Sequence, residues 1–261
     1  MAKSRTTLEQ QVLVITGASS GIGLAIAAAA LARGASVVLC ARGTKALAHF
    51  VDSIPDGRLR ALVAAGDMAD PEQMRQVAQA ATARFGRIDT WINNADISAY
   101  GWFDAVSESD ARRLFDASFW GVVNGSFAAL PHLSPTGGSL ITLDIEEPPA
   151  RLPLHGIHAA AQRAIGEFCD DLRESTAAAS PTVTVSVIHP SAFAVPQTPP
   201  AWVQPGARPA STCRIDTDRL AAAVIDAAEC PTGTRTIRRP ARDDRHRPAP
   251  LDVPDLMPNL A

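Results

Sequence analysis

Eight residues carry the strongest chemical signal in this chain: Thr16-Gly17-Ala18-Ser19-Ser20-Gly21-Ile22-Gly23. They stand where a short apolar run, Val12 to Thr16, gives way to an alanine-rich stretch from Gly21 to Arg33, which reads as a helix closed by Gly34. Glycines at a strand-to-helix turn let the backbone bend tightly and approach a pyrophosphate. The free N–H groups and positive dipole end of the helix would meet that charge. A second feature is electrostatic. No Asp or Glu occurs from Gln10 to Val51, and the cations in that span include Arg42 and Lys45.

The elements that must position this turn alternate. After the first strand and helix come an apolar run from Val37 to Cys40, a helical stretch around Lys45 to Val51 and a run from Leu59 to Ala64. Asp70-Pro71-Glu72 is an N-cap with proline at the first helical position, and its helix is expected to reach Phe85. Thr90 to Asn93 makes a fourth strand. Ser107-Glu108-Ser109-Asp110 resembles a capping box opening a long helix toward Leu130, and Gly138 to Ile145 reads as a fifth strand. A helix over His158 to Ser175, a sixth strand from Val183 to His189 and a helix from Asp216 to Ala228 complete the pattern. Such alternation implies a doubly wound α/β fold, a Rossmann-like parallel sheet with helices on both faces in three α/β/α layers.

The chain is long enough for one large domain, expected over residues 1–230, with a Pro/Arg-rich tail over 231–261. Twenty-four Lys and Arg against 27 Asp and Glu leave a net charge of −3, too balanced to hold nucleic acid by electrostatics. The longest apolar run, Leu24 to Ala32, is half a membrane span. Four scattered cysteines, Cys40, Cys169, Cys213 and Cys230, suggest neither a metal site nor a disulfide framework. A cytoplasmic protein that binds no membrane is expected.

The glycine stretch resembles that of the short-chain dehydrogenase/reductase family, Thr-Gly-x-x-x-Gly-x-Gly. Asn93-Asn94-Ala95 is similar to the family's Asn-Asn-Ala-Gly, with Asp96 in place of the glycine. Leu152 to Phe168 and Val183 to Pro190 also follow the family pattern, so the likeness covers about residues 10–196. It implies a dinucleotide held by Gly17, Ser19, Ser20, Gly21, Ile22, Gly23, Asp67, Met68, Asn94 and Ala95. Ala41 occupies the place where NAD-binding members carry an acid for the ribose 2′-hydroxyl, and Arg42 follows it. A guanidinium fork suits a 2′-phosphate, so NADP(H) is expected in preference to NAD.

The same resemblance implies a catalytic Asn, Ser, Tyr and Lys, and here all four are replaced. Aligning Leu152-Pro153-Leu154 and Ala164 to Phe168 with the family pattern sets His158 at the tyrosine and Gln162 at the lysine. Ile145 stands at the serine and Ser118 at the asparagine. The only tyrosine is Tyr100 and no lysine follows Lys45, so no shift of register rebuilds Tyr-x-x-x-Lys. After the sixth strand, Ser191 replaces a frequent glycine, and Val195 the threonine that commonly meets the nicotinamide. Among the substitutes, only His158 is an acid or base near neutral pH, and Asp144, Glu146 or Glu147 would orient it. A hydrogen-bonded pocket histidine is the plainer alternative.

Three readings follow. The first is an NADP(H)-binding member without ordinary carbonyl reductase activity, acting as a sensor or as the silent partner of an active homologue. The second is a repurposed enzyme, either an atypical reductase or a non-redox lyase or isomerase using His158. The third is an ordinary NADPH-dependent reductase, which the replaced residues argue against. The small-molecule ligand is not named by the segment from Ala192 to Pro209, expected to cover the pocket. Resemblance also implies a homodimer or homotetramer, with Leu114, Phe119 and Trp120 at the contact or in the core beneath it.

Overall fold

The computed structural model describes residues 7–19, 21–94, 107–133, 135, 137–144, 156–189 and 217–230. Six strands form one sheet: β1 (Val12–Ile15), β2 (Ser36–Ala41), β3 (Ala61–Ala65), β4 (Thr90–Asn93), β5 (Gly138–Leu143) and β6 (Val183–Ile188). All pairs are parallel, in the order β3-β2-β1-β4-β5-β6. The doubly wound fold expected from the alternation is therefore present. Chain direction across the sheet reverses between β1 and β4, and their carboxyl ends frame the crevice where ligands of such sheets bind.

The helices are α1 (Gly21–Ala32), α2 (Lys45–Asp52), the single turn α3 (Gly57–Arg60), α4 (Pro71–Phe85), α5 (Glu108–Phe115), α6 (Gly121–Leu133), α7 (Gly156–Ala179) and α8 (Thr217–Glu229). Strand side chains alternate between faces, so Leu13, Ile15, Val37 and Leu39 pack with α1 and α8. Val14, Val38 and Cys40 point the other way, onto Met74, Val77 and Ala81 of α4. Trp91 is fully buried on that second face beside Ala128 and Leu133 of α6. Truncating one of these fully buried leucines would cost about 2–5 kcal/mol.

Local chemistry sets the element ends. The Asp70 carboxylate accepts the amides of Glu72 and Gln73 at 2.8 and 3.2 Å, Pro71 takes the first turn, and Gly86 closes α4 at φ 80°. The Gln73 amide and these two backbone donors hold the Asp70 carboxyl below its ordinary value. The third strand differs from its sequence reading of Leu59 to Ala64. Asp56 adopts a left-handed conformation, φ 57°, and the Asp56 carbonyl accepts from Leu59 N, so Leu59 and Arg60 finish a helical turn before the strand starts. The helix expected from Ser107 to Leu130 is likewise interrupted. Asp116–Trp120 forms a π-helical segment between α5 and α6, with no signal in composition or spacing to foretell it.

Candidate functional site

The glycine turn is braced from β4. The Thr16 hydroxyl donates to the Ile92 carbonyl at 3.1 Å and accepts the Asn94 amide at 3.0 Å. The Asn94 side-chain amide then donates to the carbonyls of Thr16 and Gly17, each at 3.1 Å. Asn94 thus fills the space beside the turn. A Cβ on Gly17 would lie 2.0 Å from the Asn94 carbonyl oxygen, and one on Gly23 would lie 2.5 Å from Asn94 Nδ2. Gly21 has open space instead, but φ +57°, as Gly17 has φ +60°. Both glycines therefore hold the left-handed conformation that L side chains resist.

What this turn can bind follows from its charge. α1 begins at Gly21 with no acid in its first turn, so the positive end of its dipole is unopposed there. Arg42, exposed just beyond β2, forms no ion pair among the described residues, and exposed Lys45 opens α2. The donor set fits an anionic ligand carrying more than one phosphate. Ser19 and Ile22 flank the turn and are partly buried.

The wall beyond β3 is also built. Asp67 N donates to Gln73 Oε1 at 2.9 Å, and Asp67 Oδ1 accepts from Ala69 N. The Asn124 amide of α6 donates to the Met68 carbonyl at 2.9 Å. Sequence reading named Asp67 and Met68 but not Gln73 and Asn124, which hold their main chain. The Asp70-x-x-Gln73 spacing of a capping box was a signal for the first. None existed for Asn124, which acts across 56 residues. Asn93 is structural: its amide is taken by Trp91 Nε1 and Ser126 Oγ. A Cβ at Gly125 would meet Asn93 Oδ1 at 2.2 Å.

On the β4–β6 side, the structure describes three of the four positions expected to carry catalysis. Ser118 lies in the π-helical segment, 0% exposed, and its Oγ has no partner among the described residues. His158 and Gln162 share one face of α7, and Gln162 Nε2 lies 3.3 Å from His158 Nε2. An amide nitrogen only donates, so His158 Nε2 is the acceptor in this pair. Gln162 Oε1 is buried with no partner among the described residues. His158 is 3% exposed, and its outer nitrogen is engaged with Gln162. Ile145, Ser20, Ala95, Tyr100, Glu146, Glu147 and the stretch 192–209 lie outside the described residues.

Other chemistries find little support among the described residues. Burial pushes the Cys40 thiol up to about 12, with the Asp67 charge adding to it. Burial likewise raises Cys169 to about 11 against a hydrogen bond with Thr142 that lowers it. Both are protonated near neutral pH, so neither is a ready nucleophile. No group of three His, Cys, Asp or Glu residues stands together to hold a metal among the described residues. No described helix is long and apolar enough to cross a membrane.

Comparison with known proteins agrees with this architecture. Residues 11–203 match the profile described as short chain dehydrogenase. An uncharacterized oxidoreductase, YxnA, of Bacillus subtilis is 34% identical over 228 residues, 86% of this chain but 64% of its own length. An uncharacterized oxidoreductase of Methylorubrum extorquens is 32% identical over 70% of this chain and 73% of its own. Among solved structures, a short-chain dehydrogenase from Streptomyces avermitilis superposes with a TM-score of 0.72 at 27% identity, covering 90% of this chain and 89% of that one. A metagenomic short-chain oxidoreductase solved in complex with NADP gives 0.73 at 22% identity, over 91% and 100%, a likeness of fold alone. With the matched profile spanning most of the sequence and the sheet order in agreement, the chain belongs to the short-chain dehydrogenase family.

Proposed function

We propose that this chain is an NADP(H)-binding member of its family that lacks ordinary carbonyl reductase activity. The observation that carries the cofactor reading is the pair of left-handed glycines, Gly17 and Gly21, at the acid-free start of α1. Backbone N–H groups there suit a pyrophosphate, and Arg42 at the end of β2 suits a 2′-phosphate bidentately. A carboxylate at that place would repel the same phosphate; none occurs there.

When bound, the nicotinamide would supply or accept a hydride. The chain's own residues at the family's catalytic positions do less than the family's set. Among the described residues, Ser118 and Gln162 each leave a buried polar atom unmatched, a cost of about 1–3 kcal/mol apiece that a ligand hydroxyl would relieve. Both suit ribose hydroxyls. His158 is engaged with Gln162, and Ile145 has no hydroxyl to polarise a carbonyl. Binding therefore outlasts catalysis in this site. Titrating NADPH fluorescence with protein, then adding carbonyl substrates to the same sample, tests both halves of the proposal.

Self-association belongs to the same reading. Leu114 packs inside the chain against Ala161 and Ile157, so it serves the core rather than a contact. Trp120 is 47% and Phe127 65% exposed on consecutive helical segments. These two are the residues offered to a second copy. Light scattering of the full chain is expected to give a dimer or tetramer, and Trp120→Ala with Phe127→Ser is expected to shift it to the monomer.

A further inference from the structure

A second histidine, His189, which the sequence did not single out, stands at the carboxyl edge of the sheet. Asp144 follows β5 and His189 follows β6, on adjacent parallel strands. His189 Nδ1 lies 3.0 Å from the main-chain carbonyl oxygen of Asp144 and 3.5 Å from its carboxylate Oδ2. A carbonyl oxygen only accepts, so the proton of the neutral ring sits on Nδ1. Nε2 keeps its lone pair, and no described residue bonds it. The His189 side chain is 21% exposed, while that of Asp144 is 8%. Among the described residues, this is a ring held at one nitrogen and unbonded at the other, with a buried carboxylate as counter-charge for its protonated form.

Among the described residues, the charged and titratable groups packed nearby are otherwise occupied or uncharged. On α7, Cys169 is uncharged near neutrality. Arg173 donates to Asp170 at 2.7 Å. His158 is the obvious rival, but its Nε2 accepts from Gln162 and it is nearly inaccessible. In a doubly wound sheet the β4–β6 half serves the second nucleotide, so both histidines belong to the side where hydride chemistry would occur.

We propose that Asp144 and His189 form an acid–base pair of this site, with His189 Nε2 exchanging a proton with the oxygen of a bound carbonyl or alcohol. The proposal rests on the NADP(H)-binding reading. In the reducing direction, the hydride leaving NADPH bonds to the carbonyl carbon and NADP⁺ remains. The C=O π pair moves to oxygen, and oxygen takes the proton from Nε2 of the protonated ring, whose N–H pair stays on the ring as it becomes the neutral Nδ1–H form. Oxidation of the alcohol reverses each movement. The substrate class that suits such a site is an activated carbonyl, because no serine hydroxyl polarises the C=O bond. Asp144 acts through His189 as a positioning residue.

The test uses the full chain with ring-¹⁵N-labelled histidine and 2,3-butanedione as the probe substrate. Nuclear magnetic resonance is expected to show a neutral histidine protonated on Nδ1 whose signals vanish in His189→Asn. The asparagine amide can keep the bond to the Asp144 carbonyl but has no proton to exchange. Single-turnover NADPH oxidation is expected to be slow in the unmodified protein and slower at pH 9 than at pH 6, because only the protonated ring carries a proton on Nε2 to give. In His189→Asn it should fall at least about tenfold at pH 6 and lose its pH dependence, with NADPH still bound. His189→Gln replaces that variant if it fails to bind NADPH. A neutral His189 protonated on Nε2, unchanged turnover in the variant with NADPH bound, or no oxidation by the unmodified protein at any pH would each overturn the pair. Failure of the unmodified protein to bind NADPH would instead overturn the cofactor reading beneath it.

Discussion

Thr16 and Asn94 hold one another across the reversal of the sheet: the Thr16 hydroxyl accepts the Asn94 main-chain amide while the Asn94 side chain donates back to the Thr16 carbonyl. The consequence is a glycine turn whose shape is imposed by β4 as much as by its own residues. Gly17 and Gly21 then serve for different reasons, and substitution separates them. Gly17→Ala drives a methyl group onto the Asn94 carbonyl oxygen, so a large loss of thermal stability and of NADPH binding is expected. Gly21→Ala meets no atom and suffers only the left-handed φ, at about 1–2 kcal/mol. Calorimetry of both variants checks this, and equal losses would remove the distinction.

Cofactor discrimination turns on Arg42. Its replacement by alanine removes a charge-assisted contact to a 2′-phosphate worth roughly 1.5–3 kcal/mol, so NADPH affinity is expected to fall about tenfold to a hundredfold. NADH has no such phosphate and should be unaffected. Parallel fluorescence titrations with the two cofactors measure the difference; equal weakening would sink the assignment.

The buried thiols give the fold a defined weakness in base. Cys40 and Cys169 are raised in the folded chain from 9.0 to about 12 and about 11 respectively, chiefly by burial. A thiol with a raised folded value binds its proton more tightly folded than unfolded. Its contribution is therefore fully present below about pH 9 and is lost as pH rises toward 11 to 12, each group removing at most about 1.4 kcal/mol per pH unit. Urea unfolding followed from pH 8 to 10.5 should show this decline, and Cys169→Ala should make it shallower. An unchanged slope in that variant would assign the decline to other groups.

Much of this was legible in the sequence because the signals were local. The Asp70-Pro71 cap, the Gly17–Gly23 turn and the apolar runs of β1, β2 and β4 each announce themselves within a few residues, and the parallel, doubly wound class follows from their alternation. What the sequence hid acts over distance or through backbone register. Asn124 reaches the Met68 carbonyl from another helix, the π-helical turn buries Ser118 without any break in composition, and His189 meets Asp144 only because β5 and β6 are neighbours. His158 drew attention by its place in a resemblance, yet its partner, Gln162, neutralises that promise four residues along the same helix.

The central claim, cofactor binding without ordinary reduction, is tested most directly by following NADPH fluorescence as protein is added and then adding excess cyclohexanone to the saturated sample. The account predicts a saturable change on binding and, after the ketone, oxidation slower by about 10²–10⁴ than a reductase turning over at about 10 s⁻¹. No saturable change, or rapid loss of the signal on adding the ketone, would contradict it.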